Sequence, residues 1–273
     1  MDHASAPISS PPWISPARAD AAEGLPLLAV RQRSAAVRHS RAHRHARGQL
    51  LGADEGLLSV EAGDSRWVVP AGHAVWIPPG VSHAARSHGP FAGWSLYVVP
   101  AACAALPPAP CVVCPSALLR EGMARLAAWP ATGPDARRQR LEAVMFDELA
   151  ALAPVAWELP MPSERRLRRI AQALCDHPAN GRSLPEWARW AGLSPRSVSR
   201  HFVAETGLSF TAWRQRVRLM RALQWLAEGK PVAVTAWDLG YENPSAFIAL
   251  FRRAFGMTPG QYLAGQGALT QSA

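Results

Sequence analysis

The sequence predicts an α+β chain: a small N-terminal β-barrel followed by an all-α domain with two helix-turn-helix motifs. Three observations predict it. Short apolar runs between Leu27 and Val99, such as "GLLSVEAGDSRWVVPAG" and "GWSLYVV", are punctuated by Gly, Pro and Asp, the texture of a barrel or sandwich. From Ser163 onward the apolar period is helical, broken only by Gly and Pro stops. Inside this helical region a stretch of sequence recurs at an offset of 48 or 49 residues.

A chain of 273 residues has room for two domains. Residues 1–26, rich in Ala, Ser and Pro and without a basic segment ahead of an apolar run, read as a disordered tail on a cytoplasmic protein. No run approaches the roughly 18 apolar residues of a membrane span, so no membrane partner is expected. Residues 27–110 are the barrel. Residues 111–153 hold the helical segments "PSALLREGMARLAAW" and "DARRQRLEAVMFDELAAL", expected to pack on the barrel or at a dimer interface. In the second, Leu141, Val144, Met145, Glu148 and Leu152 fall on or near one stripe, with Leu149 beside it. "CVVC" at 111–114 has zinc or redox spacing, but no second pair follows, and Val-Val favours a buried strand with two core thiols. Residues 154–162, with three prolines, read as a linker, and 163–265 as the α domain opening on a Ser163 cap.

The repeat sets "AGLSPRSVSRHFVAETGLSFTAW" beside "LGYENPSAFIALFRRAFGMTPGQYL". Ala188 and Gly192 match Ala236 and Gly240; Phe202, Gly207 and Trp213 match Phe251, Gly256 and Tyr262. In each copy a glycine makes the turn and a capped helix follows. Val198 and Phe202 point inward in the first, leaving Arg196, Ser197, Ser199 and Arg200 outside. Phe247 and Phe251 point inward in the second, leaving Ser245, Ile248, Ala249 and Arg252. Arginine can hold guanine through O6 and N7, whereas the second face suits thymine methyls and phosphates. The first copy is therefore expected to discriminate sequence and the second to position. The intervening helix of roughly 18 residues, about 27 Å long, could set the two near one duplex turn apart. Charge agrees: 14 basic against 12 acidic residues precede position 154, and 15 against 8 follow. Double-stranded DNA is the partner these features imply.

The last 110 or so residues resemble the DNA-binding domain of AraC/XylS-type transcription regulators, in "LSPRSVSRHFVAETGLSF" and "DLGYENPSAFIALFRRAFGMTPGQYL". By that resemblance Arg196, Ser199 and Arg200, and Ser245, Ile248 and Ala249, occupy base-contact positions. RNA polymerase and a second copy of the chain are further candidate partners.

In the N-terminal half, His43-x-His45-x3-Gln49 and Gly72, Pro78, Gly80, His83 resemble the two short motifs of cupin barrels, which also fits the sensor half of that regulator family. A cupin-like sensor for a small-molecule or metal effector follows, with His43, His45, Gln49, His83 and Trp76 as its contacts, although Trp67, Trp76 and Trp94 either line the barrel or fill its core, the more frequent outcome for tryptophan. Alternation puts His43 and His45 on one side of a strand, and "PPG" turns His83 toward them. Those three imidazoles could hold Zn(II), Ni(II), Fe(II) or Mn(II), although no cofactor is required. Metal-binding cupins commonly carry a carboxylate where this chain has Gln49. The alternative is a cupin-type metal-dependent enzyme with an accessory nucleic-acid module, which Gln49 disfavours; no other catalytic constellation stands out.

Overall fold

The computed structural model describes residues 10, 12–130, 135–155 and 158–270, with side chains as far as residue 264. It divides into two units, residues up to 158 without 64–68, and residues 64–68 with 159 onward.

The first unit runs α1 (Pro16–Asp20), β1 (Leu27–Ser34), β2 (Gly48–Ala62), β3 (Ser65–Pro70), β4 (Ala74–Ile77), β5 (His83–Val98), a 3₁₀ turn at Pro100–Ala105, β6 (Cys111–Val113), α2 (Ala117–Ala127), α3 (Ala136–Ala150), β7 (Pro154–Val155) and β8 (Glu158–Pro160), with some residues of β3 and β8 counted in the second. Strands pair in the order β1-β5-β2-β4-β6-β7. Among the described residues this path never returns to β1, so the sheet is open where a closed barrel was expected. Side chains alternate across it. Leu50, Trp76, Trp94 and Leu96 lie on the face covered by α2 and α3 through Leu119, Met123, Met145 and Leu149. Burying each such aliphatic side chain contributes roughly 1.5–3 kcal/mol.

Several boundaries differ from the sequence reading. Residues 12–26 are not a disordered tail: Ile14 and Ala19 pack on Leu28 and Tyr97, and the Arg47 guanidinium donates to the carbonyls of Glu23 and Leu25 at 3.0 and 2.9 Å. A few apolar residues suffice to seat an Ala/Pro-rich segment when a sheet receives them. Residues 1–9 and 11 lie outside the described residues. The expected linker contains strand: Val155 pairs with Val112, β8 pairs with β3, and Leu159 and Met161 are buried. Cys111–Val113 is the strand that Val-Val suggests, with Val112 and Val113 fully buried, but the thiols are not both core: Cys111 is half-buried and Cys114 exposed beyond the strand's end. The buried stripe of α3 is Arg138, Glu142, Met145 and Leu149, while Val144 is exposed. Arg138 bonds Glu142 at 2.8 Å and the Leu27 carbonyl at 2.7 Å, so an ion pair occupies positions that an apolar count assigns to solvent.

The second unit adds α4 (Arg165–Asp176), α5 (Leu184–Ala191), α6 (Pro195–Thr206), α7 (Phe210–Ala227), α8 (Val232–Asp238), α9 (Pro244–Phe255) and α10 (Pro259–Thr270). Glu164, not Ser163, caps α4 by accepting from the Leu167 amide; Ser163 donates to Glu205 instead. Ser183 and Glu186 form a capping box on α5. Trp187, Val198, Phe202 and Trp213 centre the core. No described helix is long and apolar enough to cross a membrane.

Candidate functional site

The two helix pairs share their backbone signals. Gly192 and Gly240 are left-handed, at φ 69° and 78°, where a residue with a Cβ is strained. At Gly240 a Cβ would also lie 2.9 Å from the Ala179 carbonyl oxygen. Ser194 accepts from the Ser197 amide at 3.1 Å, and Asn243 from the Ser245 amide at 2.8 Å. Val198, Phe202, Phe247 and Phe251 are fully buried, which fixes what the opposite faces present.

On α6 that face exposes Arg196, Ser199 and Arg200. Ser197 is half-buried, its hydroxyl 2.9 Å from that of Ser194, and so belongs to the cap. On α9, Ser245, Ala249 and Arg252 are exposed and Ile248 half-buried; all four line a shallow recess that Arg253 and Thr258 extend. Arg253 and His201, the latter 3.3 Å from Arg200 Nη2, were missed by the sequence reading, though each directly follows a residue it named. Not all of the basic excess faces outward. Arg214, Arg218 and Arg221 of α7 donate to backbone carbonyls between Cys175 and Arg182, closing the C-terminal end of α4 and the loop beyond.

In the first unit a cavity of about 300 Å³ holds His43, His45, His83 and Gln49 together. His43 and His45 precede β2 rather than lying on a strand. Reciprocal backbone bonds of 2.9 and 2.8 Å join His43 to His83, and the Gly80 amide donates to the His45 carbonyl at 2.9 Å, so the "PPG" turn does bring His83 across. Ring centroids lie 4.3, 5.0 and 5.9 Å apart. Each Nδ1 lies 2.7–2.9 Å from a backbone carbonyl, of Arg41, Arg47 and Val81 respectively. A carbonyl only accepts, so Nδ1 donates in each ring and Nε2 is the nitrogen turned elsewhere. His83 Nε2 is buried and has no partner among the described residues. Burial, with His43 and His45 adding to it against the bond to Val81, pushes the His83 pKa down to about 4. His45 Nε2 faces Gln49 Oε1 at 3.1 Å, while Gln49 Nε2 donates to Ser95 and Tyr97 at 2.7 and 3.3 Å. With Nδ1 donating to Arg47, this contact calls for a proton on His45 Nε2 as well, an amide turned over, or a cation between the two atoms.

Trp76 is not in this cavity. It pairs with Leu50, one residue from Gln49, and therefore faces the helices, its indole donating to the Pro107 carbonyl at 2.8 Å. Trp67 and Trp94 are likewise buried core. Tyr97 is the contact sequence reasoning missed. It pairs with Gln49 and meets His45 edge-on at 5.4 Å, and burial pushes its pKa up to about 12. Its signal was the alternation Trp94, Ser95, Leu96, Tyr97 in "GWSLYVV", which sets Ser95 and Tyr97 on the Gln49 side. Trp13, Arg38, His39 and Phe91 complete the wall.

Comparison with known proteins agrees with both halves. Residues 25–111 match the AraC-like ligand binding domain, and residues 187–265 a helix-turn-helix domain. The chain is 35% identical over 223 residues to the HTH-type transcriptional regulator NimR of Escherichia coli, covering 81% of each. It is 37% identical over 107 residues to the HTH-type transcriptional regulator RipA of Corynebacterium glutamicum, 39% of this chain and 32% of that one. Over 119 residues it is 27% identical to the arabinose operon regulatory protein of Salmonella typhimurium, 43% and 42%. With its repeated helix pair and a ligand-binding domain ahead of it, the chain belongs to the AraC-type transcriptional regulators.

Proposed function

We propose that α6 reads most of the operator sequence, that α9 mainly fixes position on the phosphates, and that a small-molecule effector enters the histidine cavity. The observation that carries the role of α6 is the exposure of Arg196, Ser199 and Arg200 opposite a wholly buried Val198 and Phe202. Footprinting with Arg200→Ala tests it: affinity should fall by about 1–3 kcal/mol, with relaxed preference at one base pair. An unchanged footprint would sink the assignment. The cavity binds its ligand without turnover; the relatives are regulators, and the neutral Gln49 suits binding more than catalysis. A cytoplasmic location, a homodimer and contact with RNA polymerase accompany this reading.

A second reading, favoured by the partnerless His83 Nε2 and the close approach of His45 Nε2 to Gln49 Oε1, places a divalent metal in the same cavity. The His43, His45 and His83 ligand atoms lie within 4.8 Å of one another. The three Nε2 atoms and Gln49 Oε1 would hold the ion, which would supply a Lewis-acidic centre for ligand. Elemental analysis of protein purified without added metal tests this; absence of stoichiometric metal removes the second reading alone.

A further inference from the structure

We infer that the effector is a planar organic anion, drawn between a metal at the histidine cluster and the arginine rim of the cavity. The inference rests on the metal reading and adds what that metal would recognise.

Charge carries it. Held through Nε2 while Nδ1 donates to a carbonyl, the three imidazoles would bring no charge to an ion, and the fourth inward-facing group, the Gln49 amide, brings none either. A dication held by these four keeps its whole charge, whereas a carboxylate at position 49 would cancel half of it. Among the described lining residues arginines outnumber carboxylates. Arg38, Arg41 and Arg44 belong to its wall, and Asp20 is the one acidic group among the described lining residues. Asp20 is engaged with the Ala46 amide at 3.1 Å. Burial lowers the Arg38 pKa, the sign of a guanidinium partly drawn out of water. Such a site attracts negative charge from two sides.

Shape supplies the rest. Trp13, Phe91, Leu51, Leu58 and Tyr97 make the wall mostly apolar and partly aromatic, which favours a flat body over a polyol. A volume of about 300 Å³ admits a single ring bearing a carboxylate. An amide is a weak ligand, so an incoming carboxylate would compete well for the ion.

Full-length protein loaded with Co(II) makes the idea testable through its visible spectrum. Picolinate is the probe, and picolinamide its neutral counterpart of the same shape. Picolinate should shift the cobalt bands and bind at least tenfold more tightly than picolinamide. Gln49→Glu should retain cobalt yet lose at least tenfold in picolinate affinity; Arg38→Gln should weaken picolinate while leaving cobalt content unchanged. Equal binding of the two probes, or undiminished picolinate binding by a cobalt-loaded Gln49→Glu, overturns the anion inference and leaves the metal reading standing. Failure of the wild-type protein to take up cobalt defeats both.

Discussion

Gln49 and Leu50 are neighbours in sequence, yet one faces the histidine cavity and the other the helix-covered core. Their cross-strand partners inherit the same division: Tyr97 sits opposite Gln49, and Leu96 and Trp76 opposite Leu50. A tryptophan near a histidine motif is therefore no guide to ligand contact until its register is known. Trp76→Ala should cost about 3–5 kcal/mol in denaturant unfolding by leaving a cavity under α2 and α3. Tyr97→Phe removes only a hydroxyl 3.3 Å from the Gln49 amide, and should shift effector affinity while moving stability far less. On the DNA side, Arg253→Ala should weaken binding to specific and random duplexes alike and lower the salt slope by about one.

Elements are decided by their ends. Ser194→Ala and Asn243→Ala should each destabilise by about 1 kcal/mol, read as a melting shift, because each side chain accepts a bond from an amide in the first turn of its helix. Gly240→Ala should cost more than Gly192→Ala: both are left-handed, but only Gly240 also has the Ala179 carbonyl in the way. These ends were legible in the sequence, since Gly, Ser, Asn and Pro act over two or three residues. So were His43, His45, His83 and Gln49, which a turn and a two-residue bridge bring together. What depends on distant partners was not legible. The α3 stripe contains Arg138 and Glu142, whose charges are satisfied by each other and by Leu27, far away in sequence. Residues 12–26 look featureless until Leu28 and Tyr97 receive Ile14 and Ala19. Sheet closure likewise turns on which edge strands meet, which no local pattern states.

At the scale of the molecule, sensing and reading sit on separate compact units. His43→Ala combined with His83→Ala should therefore leave operator affinity intact in a gel-shift assay and abolish the effector response; a double variant that responds normally would move the pocket elsewhere. Basic residues do not all count toward DNA either, since Arg214, Arg218 and Arg221 already hold carbonyls of their own unit. Neutralising them should show first in thermal melting and only secondarily in the salt dependence of binding. The back of β2 ties the sensor's shape to its support. Gly48 and Gly52 lie against the Trp76 and Trp94 indoles so closely that an added methyl would stand 2.3 Å from a ring carbon. With tryptophan behind it, a strand thickened there has only the opposite direction in which to yield, toward Gln49 and Leu51. Exchanging a glycine on the dry side would thus be a way to shrink the chamber and narrow its choice of guests without altering any atom that touches them.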